Sequence, residues 1–191
     1  MEIPVEISAR HLHLSPENLK ILFGPEVKLK VAKEISQPGQ FAAEQCLRIV
    51  GPKGNFEKVR VVGPTREHTQ VELSITDCFK LGIEPKIAIS GDYDNSLGGV
   101  ELVGPVGRIK LEKGVIVAQR HLHISPNKAA ELGLSHMDII SVKAKGQRSI
   151  IFNNVVVRSR EGIDEMALHL DTDEANAAGL KPGDTVTLEK K

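Results

Sequence analysis

Ser8-Ala9-Arg10-His11-Leu12-His13-Leu14-Ser15-Pro16 returns, slightly altered, as Ala118-Gln119-Arg120-His121-Leu122-His123-Ile124-Ser125-Pro126. Both copies read Arg-His-Leu-His-aliphatic-Ser-Pro, and each follows an apolar run with strand character: Ile3, Val5 and Ile7, then Val115, Ile116 and Val117. Side chains alternate faces along a strand, so His11 and His13 point the same way, as do His121 and His123. Two imidazoles on one face can converge on one metal ion. Ser15 and Ser125 then read as N-caps, with Pro16 and Pro126 at the first helical position. The repeated unit is a strand, a histidine pair and a helix start. Four of the seven histidines lie in these two copies. A single His-x-His is ordinarily a surface or core pair, but two copies in matching context point to a metal site.

Composition bounds the rest. The 191 residues fit one domain or two small ones, and 40% hydrophobic with 26% charged residues suits a globular chain with a core. Twenty-five basic residues balance twenty-five acidic ones, so no global field recruits nucleic acid. With no Trp, one Tyr and five Phe there is little to build base-stacking platforms. Cys46 and Cys78 lack Cys-x-x-Cys spacing and read as reduced, mostly buried thiols. No signal peptide precedes Ile3 and no apolar run reaches transmembrane length, so a cytoplasmic protein is expected.

Outward from the motif, residues 2–14 read as a strand, 16–23 as a helix closed by Gly24, and 27–33 as a half-buried strand. Strands 41–50 and 56–62 flank Gly51-Pro52-Lys53-Gly54-Asn55 as a hairpin. Further strands are expected near 86–90, 100–103, 107–112, 115–123, 137–144, 148–158, 167–170 and 184–188, with helices after Ser74, Ser125 and Thr172. A smaller repeat punctuates the chain: Leu81-Gly82-Ile83, Leu132-Gly133-Leu134 and Ala178-Gly179-Leu180 each end a short helix at a glycine that accepts the left-handed conformation. Many short strands with short helices exclude a doubly wound parallel sheet. The expected fold is mainly β with short α: two small β-barrels capped by short helices.

Isolated polar residues in strands are the next candidates. Glu72 stands between Val71 and Leu73, and His169 between Leu168 and Leu170. Either fits an edge or core position, but two incomplete histidine pairs give both a reason to be ligands. Zinc is the default for imidazole with carboxylate, and cobalt, iron or nickel fit the same donors. The pairs can share one ion or hold two. His68 and His136 lie in polar stretches and read as surface residues. Arg66, after Gly63-Pro64-Thr65, has the planar fork that holds phosphate or carboxylate. No phosphate-cradling glycine loop and no Gly-x-Ser-x-Gly elbow occurs.

The duplicated Arg-His-Leu-His-aliphatic-Ser, with Gly-Pro-x-Arg-x-x-Thr-Gln-Val-Glu between the copies, resembles the phosphotransacylases of the propanediol-utilisation type, the phosphate propanoyltransferases. The likeness runs from the first strand to the last. It implies an internal duplication in which the N-terminal strand joins the C-terminal barrel: residues 1–20 plus 115–191 as one barrel, 21–114 as the other. It implies two zinc ions, one on His11, His13 and Glu72, the other on His121, His123 and His169, with Arg66 binding phosphate. It implies that a short-chain acyl-CoA, propanoyl or acetyl, and phosphate exchange with acyl phosphate and CoA by direct attack at a dinuclear metal site. Lys33, Phe79 and Asn176 are the CoA contacts it points to, and a homodimer the assembly. Members that enter microcompartments carry an N-terminal extension that this sequence does not show, which favours a free cytoplasmic enzyme acting without nucleic acid or membrane. Two rivals share the same ligands. A metal-dependent hydrolase of a thioester or acyl phosphate needs no second substrate. A non-catalytic double-barrel scaffold would hold its metals in closed, four-ligand sites.

Overall fold

A computed structural model describes residues 1–189. The chain runs in order through β1 (Glu2–Ser8), β2 (His11–His13), α1 (Pro16–Phe23), β3 (Val31–Glu34), β4 (Phe41–Val50), β5 (Asn55–Gly63), β6 (Gln70–Leu73), α2 (Ile75–Leu81), β7 (Ile87–Ala88), β8 (Val100–Val103) and β9 (Arg108–Leu111). It continues through β10 (Val115–Ala118), β11 (His121–His123), α3 (Pro126–Glu131), β12 (Ile139–Ala144), β13 (Ile150–Arg158), β14 (Ala167–Asp171), α4 (Thr172–Ala178) and β15 (Thr185–Leu188). Among the described residues no helix is long and apolar enough to cross a membrane.

The chain divides into two compact units, 1–9, 36–39 and 119–191, and 10–35 and 40–118. In the first, a barrel closes in the order β1-β14-β11-β13-β12-β15. The N-terminal strand thus belongs to the C-terminal half, as expected: β1 runs parallel to β14 and antiparallel to β15. Ile3, Val5, Leu122, Leu168 and Leu170 pack in its core. The second unit holds a sheet in the order β7-β10-β6-β2-β5-β4-β8-β9, with β3 on β4. This sheet stays open, a half-barrel in place of the expected second barrel. Among the described residues its end strands, the two-residue β7 and the four-residue β9, each pair on one side only. Leu12, Leu14, Leu47, Val71 and Leu73 lie in its separate core.

The edges of the units differ from the expected 1–20 plus 115–191 and 21–114. The expected continuous strands 2–14 and 115–123 are each broken, at Ala9-Arg10 and at Gln119-Arg120. The reason lies in the pairing. β2 leaves β1 to join β5 and β6, and β11 leaves β10 to join β13 and β14. β1 then pairs with β14, beside β11, while β10 pairs with β6, beside β2. Each half lends its first strand to the other. The expected strand at 27–33 is only Val31–Glu34 and is wholly exposed, because β3 pairs solely with β4.

Helix ends follow local chemistry. The Ser15 side chain accepts from Asn18 N–H and caps α1, while Ser125 makes no such bond on α3. The cap of α4 is Asp171, accepting from Glu174 N–H, one residue before the expected Thr172. Gly82, Gly133 and Gly179 all take the left-handed backbone, with φ of 77°, 68° and 67°. The aliphatic residue after each sends its N–H back into the helix, Ile83 to Cys78, Leu134 to Ala129 and Leu180 to Ala175.

Candidate metal centres

The two histidine motifs occupy equivalent places in the two units. In the second unit His11 and Glu72 face each other across the antiparallel β2–β6 pair; in the first, His121 and His169 do so across β11–β14. Directly opposed residues share a face, so the third candidate arrives beside the histidine pair by register alone. The central leucines, Leu12 and Leu122, point the other way and are fully buried. In each triad, His11–His13–Glu72 and His121–His123–His169, the ligand-capable atoms lie within 4.8 Å of one another.

The first triad sets a partly exposed His11 and a buried His13 around a buried carboxylate. His11 Nε2 lies 3.7 Å from Glu72 Oε2, and His13 Nε2 3.8 Å from Oε1. His13 Nδ1 donates to the Val62 carbonyl at 3.0 Å, so its Nε2 turns a lone pair toward the carboxylate. Burial alone would raise the Glu72 carboxyl. The His11 and His13 imidazoles, the Arg66 guanidinium and the Ser90 hydroxyl outweigh it and hold the group down at about 2. Ser90 Oγ donates to Glu72 Oε1 at 2.5 Å. Burial, then the Arg66 guanidinium and the neighbouring His11, push His13 well below the ordinary histidine range.

Arg66 stands at this centre. Its Nη1 lies 3.8 Å from Glu72 Oε1 and donates to Ser90 Oγ at 3.3 Å. Its backbone N–H donates to the Leu14 carbonyl at 3.0 Å, which fixes the loop to the motif strand. Its side chain keeps 32% of its surface.

The second triad is built of imidazoles. His121 Nδ1 donates to the Gln119 carbonyl at 2.8 Å and His123 Nδ1 to Asp164 Oδ1 at 2.6 Å. Those acceptors fix both tautomers, so two Nε2 lone pairs face each other 3.0 Å apart. Lone pairs buried at that distance repel unless a cation sits between or beside them. The donor set therefore fits a metal ion, and so does the lone pair aimed at a carboxylate in the first triad. Burial, then His169, lower His121 well below the usual range and bring His123 to about 4, although Asp164 pulls the other way. Asp164 is locked in turn by Arg160, with bonds of 2.9 and 2.8 Å. Glu6, opposite His169 on β1, places Oε2 3.1 Å from His169 Nε2.

Of the residues singled out in the sequence, the fold gathers His11, His13, Glu72 and Arg66 in one unit and His121, His123 and His169 in the other. Lys33 on β3, Phe79 on α2 and Asn176 on α4 are exposed. His68 is exposed as expected and stacks on Tyr93 at 4.4 Å. Cys46 is half-buried and Cys78 buried, and neither is in a disulfide. Sequence reasoning passed over Ser90, Asp164, Arg160 and Glu6. Only Glu6 carried a signal, an acid between Val5 and Ile7 in an apolar strand, as Glu72 is.

Comparison with known proteins gives the family. The sequence profile of the phosphate propanoyltransferase family matches residues 4–181. A phosphate propanoyltransferase of Thermotoga maritima is 48% identical over 187 residues, 97% of this chain and 88% of the relative. One from Rhodopseudomonas palustris is 46% identical over 191 residues, 100% of this chain and 83% of its own. One from Escherichia fergusonii is 49% identical over 178 residues, 93% and 83% of the two chains. With the match spanning both histidine motifs and the residues between them, the chain belongs to the phosphate propanoyltransferase family.

Proposed function

We propose that the protein is a phosphate acyltransferase that interconverts a short-chain acyl-CoA plus phosphate with acyl phosphate plus CoA. Propanoyl is the favoured acyl group, on the names of its relatives, and acetyl the runner-up. The observation that carries the reading is a pair of three-residue donor sets, one of them beside the Arg66 guanidinium. Three ligands are one short of a closed structural zinc site, which favours a catalytic role over a scaffold.

His11, His13 and Glu72 would hold one zinc ion, and His121, His123 and His169 another. Bound there, the metal supplies Lewis acidity for the charge that develops on the thioester carbonyl. Arg66 orients phosphate through two parallel hydrogen bonds. A phosphate oxygen forms the bond to the carbonyl carbon as the carbon–sulfur bond breaks. CoA leaves as thiolate, and the proton lost by phosphate balances the one the thiolate takes up. Holding both reactants in place removes any need for an acyl-enzyme, so neither Cys46 nor Cys78 has a role in the chemistry. Lys33, Phe79 and Asn176 are the proposed CoA contacts; the exposed Phe79 ring offers a face for the nucleotide base. Two ions serving one reaction, and a cytoplasmic homodimer, belong to the same proposal and rest on the family resemblance.

Consumption of propanoyl-CoA with and without phosphate tests this reading. A transferase consumes thioester only when phosphate is present and yields propanoyl phosphate. Thioester loss at the same rate without phosphate would make the protein a hydrolase. The Cys46→Ala and Cys78→Ala variants keep wild-type turnover.

A further inference from the structure

The arginine that opens each histidine motif has no part in the chemistry above, yet the two copies do the same thing. Arg10 donates from Nε and Nη2 to Asp77 Oδ1 at 3.0 and 2.8 Å. Asp77 is buried and is the third residue of α2, where it closes a reciprocal cap with Ser74. The Arg10 guanidinium also lies 4.2 Å from the Phe56 ring of β5. In the other half, Arg120 Nε lies 2.5 Å from Glu174 Oε1. Glu174 is the third residue of α4, and the Arg120 guanidinium lies 5.4 Å from the Phe152 ring of β13.

Both carboxylates follow the third member of their triad at the same interval, Glu72 to Asp77 and His169 to Glu174. Each arginine immediately precedes the first histidine. The pair therefore ties the start of the histidine strand to the helix that leaves the third-ligand strand. Four short strands supply the donors, and two of them, β2 and β11, are three residues long. So short a ladder leaves the spacing of the donors dependent on what holds its ends.

We propose that Arg10 with Asp77, and Arg120 with Glu174, are positioning pairs, each holding the third donor of its own metal triad against the histidine pair. This rests on the reading of the triads as metal sites. Groups that orient ligands from outside the coordination sphere ordinarily change metal affinity by roughly ten- to a hundredfold.

The test is zinc competition against a chromophoric chelator, with far-UV circular dichroism of every variant. Wild type binds two ions per chain. In a His123→Ala background, where the first triad alone is intact, Arg10→Ala weakens the surviving site roughly ten- to a hundredfold, and Arg120→Ala leaves it unchanged. A His13→Ala background reverses the two results. Asp77→Glu, which copies the acid of the other half, keeps affinity where Asp77→Asn loses it. Arg10→Lys keeps the charge but not the fork, and it serves if Arg10→Ala does not fold. Folded arginine variants with wild-type affinity, or equal weakening of both triads by either arginine, would overturn the proposal. A wild type that binds no zinc would instead sink the reading of the triads themselves, and that is seen before any variant is made.

Discussion

Glu72 concentrates the electrostatics of the first centre, because it is buried yet ionised among His11, His13 and Arg66. Arg66→Ala removes the anion fork and leaves Glu72 with weaker compensation. Phosphate-dependent turnover should drop at least a hundredfold, on the order of 3 kcal/mol in the barrier, with zinc stoichiometry retained; steady-state kinetics beside metal analysis checks this. The second centre predicts a pH effect. His123 is held at about 4, and His121 is lowered as well, so both are buried neutral. Unfolding frees them to take up protons. The stability tied to their neutral form is therefore complete above the ordinary histidine value of about 6.5 and lost as pH falls through that value toward the lowered one. Denaturant titration of metal-free protein should show a loss on the order of 3 kcal/mol from His123 alone between pH 7 and 4. A flat profile would contradict it. Asp164→Asn exchanges the charged acceptor on His123 Nδ1 for a neutral one, and zinc affinity at that triad should fall about tenfold or more in chelator competition.

At the scale of elements, β2 and β11 divide their work by alternation: histidines to one face, a fully buried leucine to the other. Leu12→Ala and Leu122→Ala should each cost about 2–5 kcal/mol in denaturant unfolding, a loss in the core that also loosens the donors across the strand. This alternation was legible in the sequence, and so were the helix stops at Gly82, Gly133 and Gly179, because each depends on a few neighbouring residues. Glu72 and His169 were legible as polar positions in apolar strands. What brings them to the histidine pairs, the opposition of His11 with Glu72 and of His121 with His169, is register between distant segments. No local pattern encodes register. Ser90, at the end of the expected strand 86–90, and Asp164, outside any strand or helix, escaped for the same reason, since each reaches its centre from a distant segment. The break at Ala9-Arg10 was hidden because an apolar alternating run looks the same whether it pairs with one sheet or changes partners midway.

For the molecule as a whole, the duplication is structural as well as textual. Each half has a histidine strand between a parallel and an antiparallel neighbour, and each lends its first strand to the other. The closed barrel and the open sheet each have an apolar core of their own. Stripping the metal should therefore abolish turnover while far-UV circular dichroism keeps its β signature, unlike a small zinc fold that unfolds on chelation. The most direct measurement is the rate of propanoyl-CoA formation from propanoyl phosphate and CoA. It is run on metal-stripped protein, on the same protein reloaded with zinc, and on reloaded His13→Ala and His123→Ala. Turnover that appears only on reloading, and that either substitution removes, is the predicted result. Equal rates in stripped and reloaded protein, or full activity with one triad broken, would contradict an acyl transfer that depends on both centres.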